Sequence, residues 1–181
     1  MLQEVIFAGF GGQGVLTIAK NIAYSAMLEG RETCWFPTYG PEMRGGTAGC
    51  TVTVSDKPVS SPILAKFDTG VILNQPSVAK YEAKIKPGGL MIWESTNIVN
   101  GPTRTDITSV PIPAYEEAVK LGNRVIMGMI LLGAFVQKTQ AVKIETILDG
   151  LKKTLPERRH NLIPLNEKAL RRGYELAEAI K

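Results

Sequence analysis

Near the amino terminus, Val5-Ile6-Phe7-Ala8 runs directly into Gly9-Phe10-Gly11-Gly12-Gln13-Gly14. Val15, Ile18, Ala19, Ile22, Ala23 and Ala26 then follow at helical spacing. An apolar run, a G-x-G-x-x-G turn and an amphipathic period predict strand, tight turn and helix in that order. Glycines at Gly9, Gly11, Gly12 and Gly14 let the backbone take left-handed angles and bring the helix start close to the strand. The amides of such a turn, at the positive end of a helix, can hold an anion. This is how a doubly wound chain begins. The expected fold is α/β: a single Rossmann-like three-layer domain with a mostly parallel sheet, helices on both faces and one antiparallel strand.

A dinucleotide site needs a second element, an acidic residue about 20 positions on at the end of the next strand, to grip a ribose hydroxyl. The next strand, Thr33-Cys34-Trp35-Phe36, ends in Pro37-Thr38 with no acid. The glycines therefore read as structural in preference to NAD-binding.

With 181 residues, 44% hydrophobic and 21% charged, the chain suits one domain over residues 1–181 with a full core. The net charge of +4 is spread out, with small clusters at Lys152-Lys153, Arg158-Arg159-His160 and Arg171-Arg172. These read as solvated helix faces; a nucleic-acid surface wants a denser stripe with exposed aromatics. Cys34 and Cys50 form no C-x-x-C pair and His160 is the only histidine, so no metal or iron-sulfur site is expected from this chain alone. Cys34, within a strand, reads as a small buried hydrophobe. Met1 to Glu4 shows no basic, apolar and small-residue leader pattern, which predicts a cytoplasmic protein with reduced thiols.

Along the chain, Gly30 predicts the cap of the first helix. Phe36 to Thr47, with prolines, glycines, a tyrosine, an acid and a base, fits neither helix nor strand and reads as a long shaped loop. Ala48 to Val54 alternates as a strand, expected antiparallel because its connection is too short for a helical crossover. Val59 to Ile63 is expected to pair back as a short extended piece. Thr69 to Asn74 is a buried strand, followed by a helix through Val78, Tyr81 and Ile85. A turn at Lys86 to Gly89 leads to the strand Leu90 to Trp93. Ile107 to Ile112, with Pro111, suggests an edge strand. Ala114 to Leu121 is a short helix. Val125 to Val136 is apolar on every side and only twelve residues long, a buried helix that does not span a bilayer. Two amphipathic helices follow, through Ile144 to Leu155 and through Leu170 to Ile180. Ligands of such sheets sit beyond the carboxyl ends of the parallel strands. That rule gathers Gly9–Gly14, Tyr39–Thr47, Asn74–Ser77 and Glu94–Ser95 on one edge.

Two of these stretches together carry a resemblance. Gly9-Phe10-Gly11-Gly12-Gln13-Gly14-Val15, joined to Phe36-Pro37-Thr38-Tyr39-Gly40-Pro41-Glu42-Met43-Arg44-Gly45-Gly46-Thr47-Ala48, resembles the gamma subunit of 2-oxoacid:ferredoxin oxidoreductases. The likeness continues through Val54-Ser55-Asp56, Ser61-Pro62 and Gly88-Gly89. It implies a multisubunit enzyme that converts a 2-oxoacid and coenzyme A to acyl-CoA and carbon dioxide and passes electrons to ferredoxin. The loop resembles the 2-oxoglutarate or branched-chain type more than the pyruvate type. Thiamine diphosphate, magnesium and iron-sulfur clusters are implied in partner subunits, with no cofactor bound by this chain alone. The implied partners are the other subunits, with ferredoxin and coenzyme A met through the complex and neither nucleic acid nor membrane.

No residue reads as a self-sufficient catalytic group. Arg44, held between glycines, is the foremost candidate to face coenzyme A, the oxoacid or the thiamine diphosphate pocket, since a guanidinium approaches phosphate or carboxylate through two bonds. The competing reading pairs it with Glu42 to brace the loop. Tyr39, Glu42, Gly45 and Gly46 are further substrate-facing or subunit-interface candidates. Gln13 is expected to bond its neighbouring loop. Two other readings stand beside the enzyme subunit: a free nucleotide- or phosphate-binding regulatory module, and a purely structural subunit. A melt with ATP, NAD or flavin distinguishes the module.

Overall fold

The computed structural model describes residues 1–39 and 46–180. Six strands, β1 (Leu2–Phe10), β2 (Glu32–Tyr39), β3 (Thr47–Ser55), β4 (Phe67–Ile72), β5 (Ile85–Glu94) and β6 (Thr108–Ile112), form one sheet in the order β2-β3-β1-β4-β5-β6. β1–β4, β4–β5 and β5–β6 pair in parallel, while β3 runs antiparallel to both β1 and β2. β3 is thus the one reversed strand of the six, as the short connection before it requires.

Alternation along the strands divides the core. On one face Val5 and Phe7 of β1, Val71, Ile92, Val110 and the β3 residues Cys50, Val52 and Val54 meet α1 (Val15–Leu28) and α4 (Met127–Thr139). α5 (Ile144–Thr154) and α6 (Ile163–Glu178) complete that layer, and Phe7 meets Phe135 edge to face at 5.8 Å. On the other face Ile6, Ala8, Ile72, Ile85 and Met91 pack on Val78 and Tyr81 of α2 (Gln75–Glu82). This makes three layers, one of them thin.

α1 begins after Gly14 at φ +82° and ends before Gly30 at φ +74°, where the Arg31 amide reaches the Ala26 carbonyl at 3.0 Å. The expected glycine cap is present. α4 is buried at every position from Met127 to Val136, as its all-round apolar sequence requires. It crosses α6 where Gly133 and Gly173 bring the two backbones together: a β-carbon on Gly173 would sit 1.7 Å from the Ile130 carbonyl oxygen. α3 (Ala114–Lys120) is tied to α6 through Glu117, which accepts from Arg172 at 2.6 Å. Among the described residues no helix is long and apolar enough to cross a membrane.

Several boundaries differ from the sequence reading. Val59 to Ile63 forms no strand; Pro58 and Pro62 withhold donors, and the Ile63 amide bonds the Ser61 hydroxyl at 3.2 Å. The expected loop from Phe36 to Thr47 is shorter, because β2 runs to Tyr39 and β3 starts at Thr47 in a paired hairpin. α2 stops at Glu82, so Ile85 belongs to β5, whose pairing slips in register between Phe67 and Thr69. Cys34 is half-buried because β2 is an edge strand; the buried thiol is Cys50.

Candidate functional site

β1 and β4 run side by side, yet the chain leaves β1 towards β2 on one side and continues from β4 towards β5 on the other. Their carboxyl ends therefore open at a topological switch point, where α/β sheets form crevices. β2 runs in the same sense as β1, so it ends on this edge, and β3 starts here. Phe10 pairs with Thr47, Gly9 with Ala48, and Ala48 in turn with Tyr39. The glycine turn and the root of the hairpin thus adjoin.

The turn is braced from within. The Gly11 amide donates to the Gly46 carbonyl at 3.2 Å, and the Gln13 amide to the Phe10 carbonyl at 3.1 Å. The Gln13 side chain accepts from the Phe10 amide at 2.6 Å and donates to the Leu73 carbonyl at 3.3 Å. Gln13 therefore bonds its neighbouring loop and strand end, as expected. Gly9 is needed for close approach: a β-carbon there would lie 2.7 Å from Gln13 Oε1 and 2.8 Å from the Leu73 β-carbon. Gly12 and Gly14 are needed for conformation, at φ +94° and +82°. The position of a ribose-binding acid, the end of β2, lies two strands from β1 because β3 intervenes.

Of the stretches expected on this edge, Phe10–Gly14, Gly46–Ala48 and Asn74–Pro76 line the crevice. Asn74 caps α2 by accepting from the Ser77 amide at 3.1 Å. Glu94 is fully buried and structural, its carboxylate accepting from the amides of Thr96, Asn97 and Tyr115 at 2.7 to 3.1 Å. Glu42, Arg44 and Gly45, together with the Tyr39 side chain, lie outside the described residues; of the hairpin candidates Gly46 is placed by its bond to Gly11 and the Tyr39 backbone by its pairing with Ala48.

The crevice has two adjoining lobes of about 400 and 510 Å³ that share Phe10, Gly12, Gln13 and Val125. The smaller carries Asn74, Gln75, Asn97, Tyr115 and Arg124 on its wall. The larger is floored by Val15, Ile18, Ile126, Met129, Leu151 and Leu155, with Arg159 and Asn166 beside them. Sequence reasoning missed Arg124, Val125 and Arg159. They sit in short 3₁₀ pieces, Arg124–Ile126 and Glu157–Leu162, whose residues carry no local motif and reach the crevice only through the packing of α4 and α5 on α1.

Among the described residues the crevice presents no Asp, Glu, His or Cys. Its described wall offers contact, hydrogen bonds and positive charge, with the Tyr115 phenol and the hydroxyls of Thr17 and Thr47 as its only hydroxyl groups among the described residues. Nor do the described residues include a group of three or more His, Cys, Asp or Glu placed to hold a metal ion.

The family model for pyruvate ferredoxin/flavodoxin oxidoreductase matches residues 4–176. The chain is 35% identical over 177 residues to ketoisovalerate oxidoreductase subunit VorA of Methanothermobacter thermautotrophicus, covering 96% of this chain and 36% of that protein. It thus spans about a third of the length of that relative. It is 31% identical to 2-oxoglutarate synthase subunit KorC of Methanocaldococcus jannaschii, over 99% of this chain and 96% of that one. The fold matches the crystal structure of a keto/oxoacid ferredoxin oxidoreductase gamma subunit from Geobacter sulfurreducens with a TM-score of 0.84 and 27% identity, covering 98% and 99% of the two chains.

Proposed function

Since the chain belongs to the pyruvate ferredoxin/flavodoxin oxidoreductase family, we propose that it works as the gamma subunit of a multisubunit 2-oxoacid:ferredoxin oxidoreductase, as one domain over residues 1–181. The reaction is the oxidative decarboxylation of a 2-oxoacid, with the acyl group passed to coenzyme A, carbon dioxide released and the electrons delivered to ferredoxin. The observation that carries this reading is the end-to-end match to a separately encoded 2-oxoglutarate synthase subunit of similar length. The substrate class that fits the loop sequence and the two relatives is 2-oxoglutarate or a branched-chain 2-oxoacid.

Thiamine diphosphate, magnesium and iron-sulfur clusters belong to the partner subunits of this cytoplasmic assembly, and the isolated chain is inactive. The division of labour agrees with a crevice whose described wall carries no carboxylate, imidazole or thiol. This chain's part is to cover and to position. Its glycine turn, braced by Gln13 and by the Gly11–Gly46 bond, fixes one root of the hairpin that carries Tyr39, Glu42, Arg44, Gly45 and Gly46. Arg44 faces an anionic group of coenzyme A or the oxoacid, and Glu42 orients it.

The reading is tested by purifying the chain from its native source without oxygen and identifying what travels with it. Co-elution with larger cluster-bearing chains is expected, together with viologen reduction that depends on coenzyme A and on 2-oxoglutarate or a branched 2-oxoacid. A colourless chain travelling alone would oppose it. In the intact complex, Arg44→Ala should raise the KM for coenzyme A or the oxoacid, and unchanged kinetics would restrict Arg44 to bracing the loop.

A further inference from the structure

The larger lobe of the crevice has a chemistry of its own. Its floor is apolar and deeply buried: Val15 and Ile18 are each 2% exposed, Ile126 4%, Met129 5% and Leu151 1%. Its volume of about 510 Å³ lies within the size range of small-molecule sites, ~300 to 1,000 Å³. Arg159 stands on its wall beside Leu155 and Leu162, Arg124 lines the adjoining lobe, and no carboxylate lines either lobe among the described residues. The ion pairs of the neighbouring basic clusters, Lys152 with Asp149, Arg171 with Glu167 and Arg172 with Glu117, all lie outside the lobe. A largely apolar slot whose described walls carry cationic and no anionic groups is complementary to a ligand with an aliphatic body and one negative end.

We propose that this lobe binds a medium-chain aliphatic carboxylate, its chain lying on Ile18, Ile126, Met129 and Leu151 and its carboxylate meeting Arg159. The site goes beyond the proposed function, because the residues that hold this ligand lie on α1, α4, α5 and the 3₁₀ pieces and it needs no partner cofactor. Chain burial sets the affinity, and the guanidinium sets the preference for an acid over the matching alcohol. Each methylene added below the capacity of the lobe strengthens binding by up to about fourfold.

The test titrates hexanoate, octanoate and octan-1-ol into the full chain, followed by calorimetry and by the methyl resonances of its Ile, Leu and Met residues. Saturable one-to-one binding is expected, octanoate tighter than hexanoate, with shifts at Ile18, Ile126, Met129 and Leu151 and none at the remote exposed Ile63. Arg159 is exposed, so Arg159→Gln should leave the fold intact. It should weaken octanoate about tenfold or more while leaving octan-1-ol unchanged. No saturable binding, shifts outside the lobe, or equal octanoate affinity in the variant would overturn the proposal. A concentration-dependent dimer that protects these methyls, or loss of the site on assembly with the partner subunits, would assign the lobe to a protein contact and overturn it equally. None of these readouts depends on oxidoreductase activity, so the failure of this site and the failure of the proposed function are distinguishable.

Discussion

Gly173→Ala opposes two effects of different size, and the structure decides between them. In an isolated helix the change stabilises by about 1 kcal/mol, since alanine loses less backbone freedom than glycine. Here, however, the new methyl carbon would lie 1.7 Å from the Ile130 carbonyl oxygen and 2.6 Å from its carbon, and ordinary contact begins near 3.4 Å. Both obstacles are backbone, so no side chain can turn aside, and α4 and α6 must part by about 1.5 Å to restore contact distance. Overpacking of a filled core costs about 1–3 kcal/mol and sometimes more, and a clash with a helix backbone belongs at the upper end. The net loss is about 2 kcal/mol or more, a fall in Tm of about 4–8 °C for a chain of this size. The assay is thermal and urea unfolding of the full chain, with Gly150→Ala alongside. At Gly150 the added carbon meets side chains and no backbone, Asn21 Oδ1 and Ser25 Oγ each at 2.9 Å, so a smaller loss is expected there, set by the cost of shifting their buried hydrogen bond. A Gly173→Ala chain that melts at or above the parent temperature would refute the close α4–α6 approach.

Gln13→Ala removes the acceptor of the Phe10 amide and the donor to Leu73, and should cost about 1–2 kcal/mol in urea unfolding, with no effect pointing to a looser turn. The Arg172 guanidinium, and after it Lys120, holds the Glu117 carboxyl below its ordinary range. A carboxyl depressed on folding contributes stability that is present above its unfolded value and lost as pH falls through the folded one. Glu117→Gln should therefore be less stable than the parent at neutral pH, and the gap should close as the pH drops below the usual carboxylate value of 4.5; a gap independent of pH would contradict the ion pair. Burial pushes the Cys50 thiol up to about 12. Iodoacetamide at about pH 8 should leave Cys50 unlabelled in the folded chain and label it in urea, as mass mapping would read.

Much of the site's frame is legible in the sequence because it rests on local rules. Gly12, Gly14 and Gly30 stand where positive φ is required, and the alternation of Val5, Ile6, Phe7 and Ala8 sends successive side chains to opposite faces of the sheet. The all-round burial of α4 from Met127 to Val136 follows from the same kind of reading, although the expected buried helix began at Val125, which stands exposed in the 3₁₀ turn before it. Elsewhere local pattern was insufficient. Ile85 continues the helical period of Val78 and Tyr81 yet begins β5, because pairing with Phe67 outweighs one more turn of a short helix. Cys34 sits among strand-forming residues, but burial depends on having neighbours on both sides, and β2 has one.

The sequence by itself determined the α/β class, the strand-turn-helix opening, the reversed strand and the lack of an acid after β2, since each is a matter of residue type and spacing within one or two elements. The tertiary structure alone decided that β3 lies between β1 and β2, and so how far the end of β2 stands from the glycine turn. It alone brought Arg124, Val125 and Arg159 to the crevice, from a part of the chain more than a hundred residues beyond that turn. The physical reason is that dihedral preference and hydrophobic period act between near neighbours in sequence. Which walls close a crevice is settled by how α4, α5 and α6 share the apolar face of the sheet, a contest among surfaces that no single segment encodes.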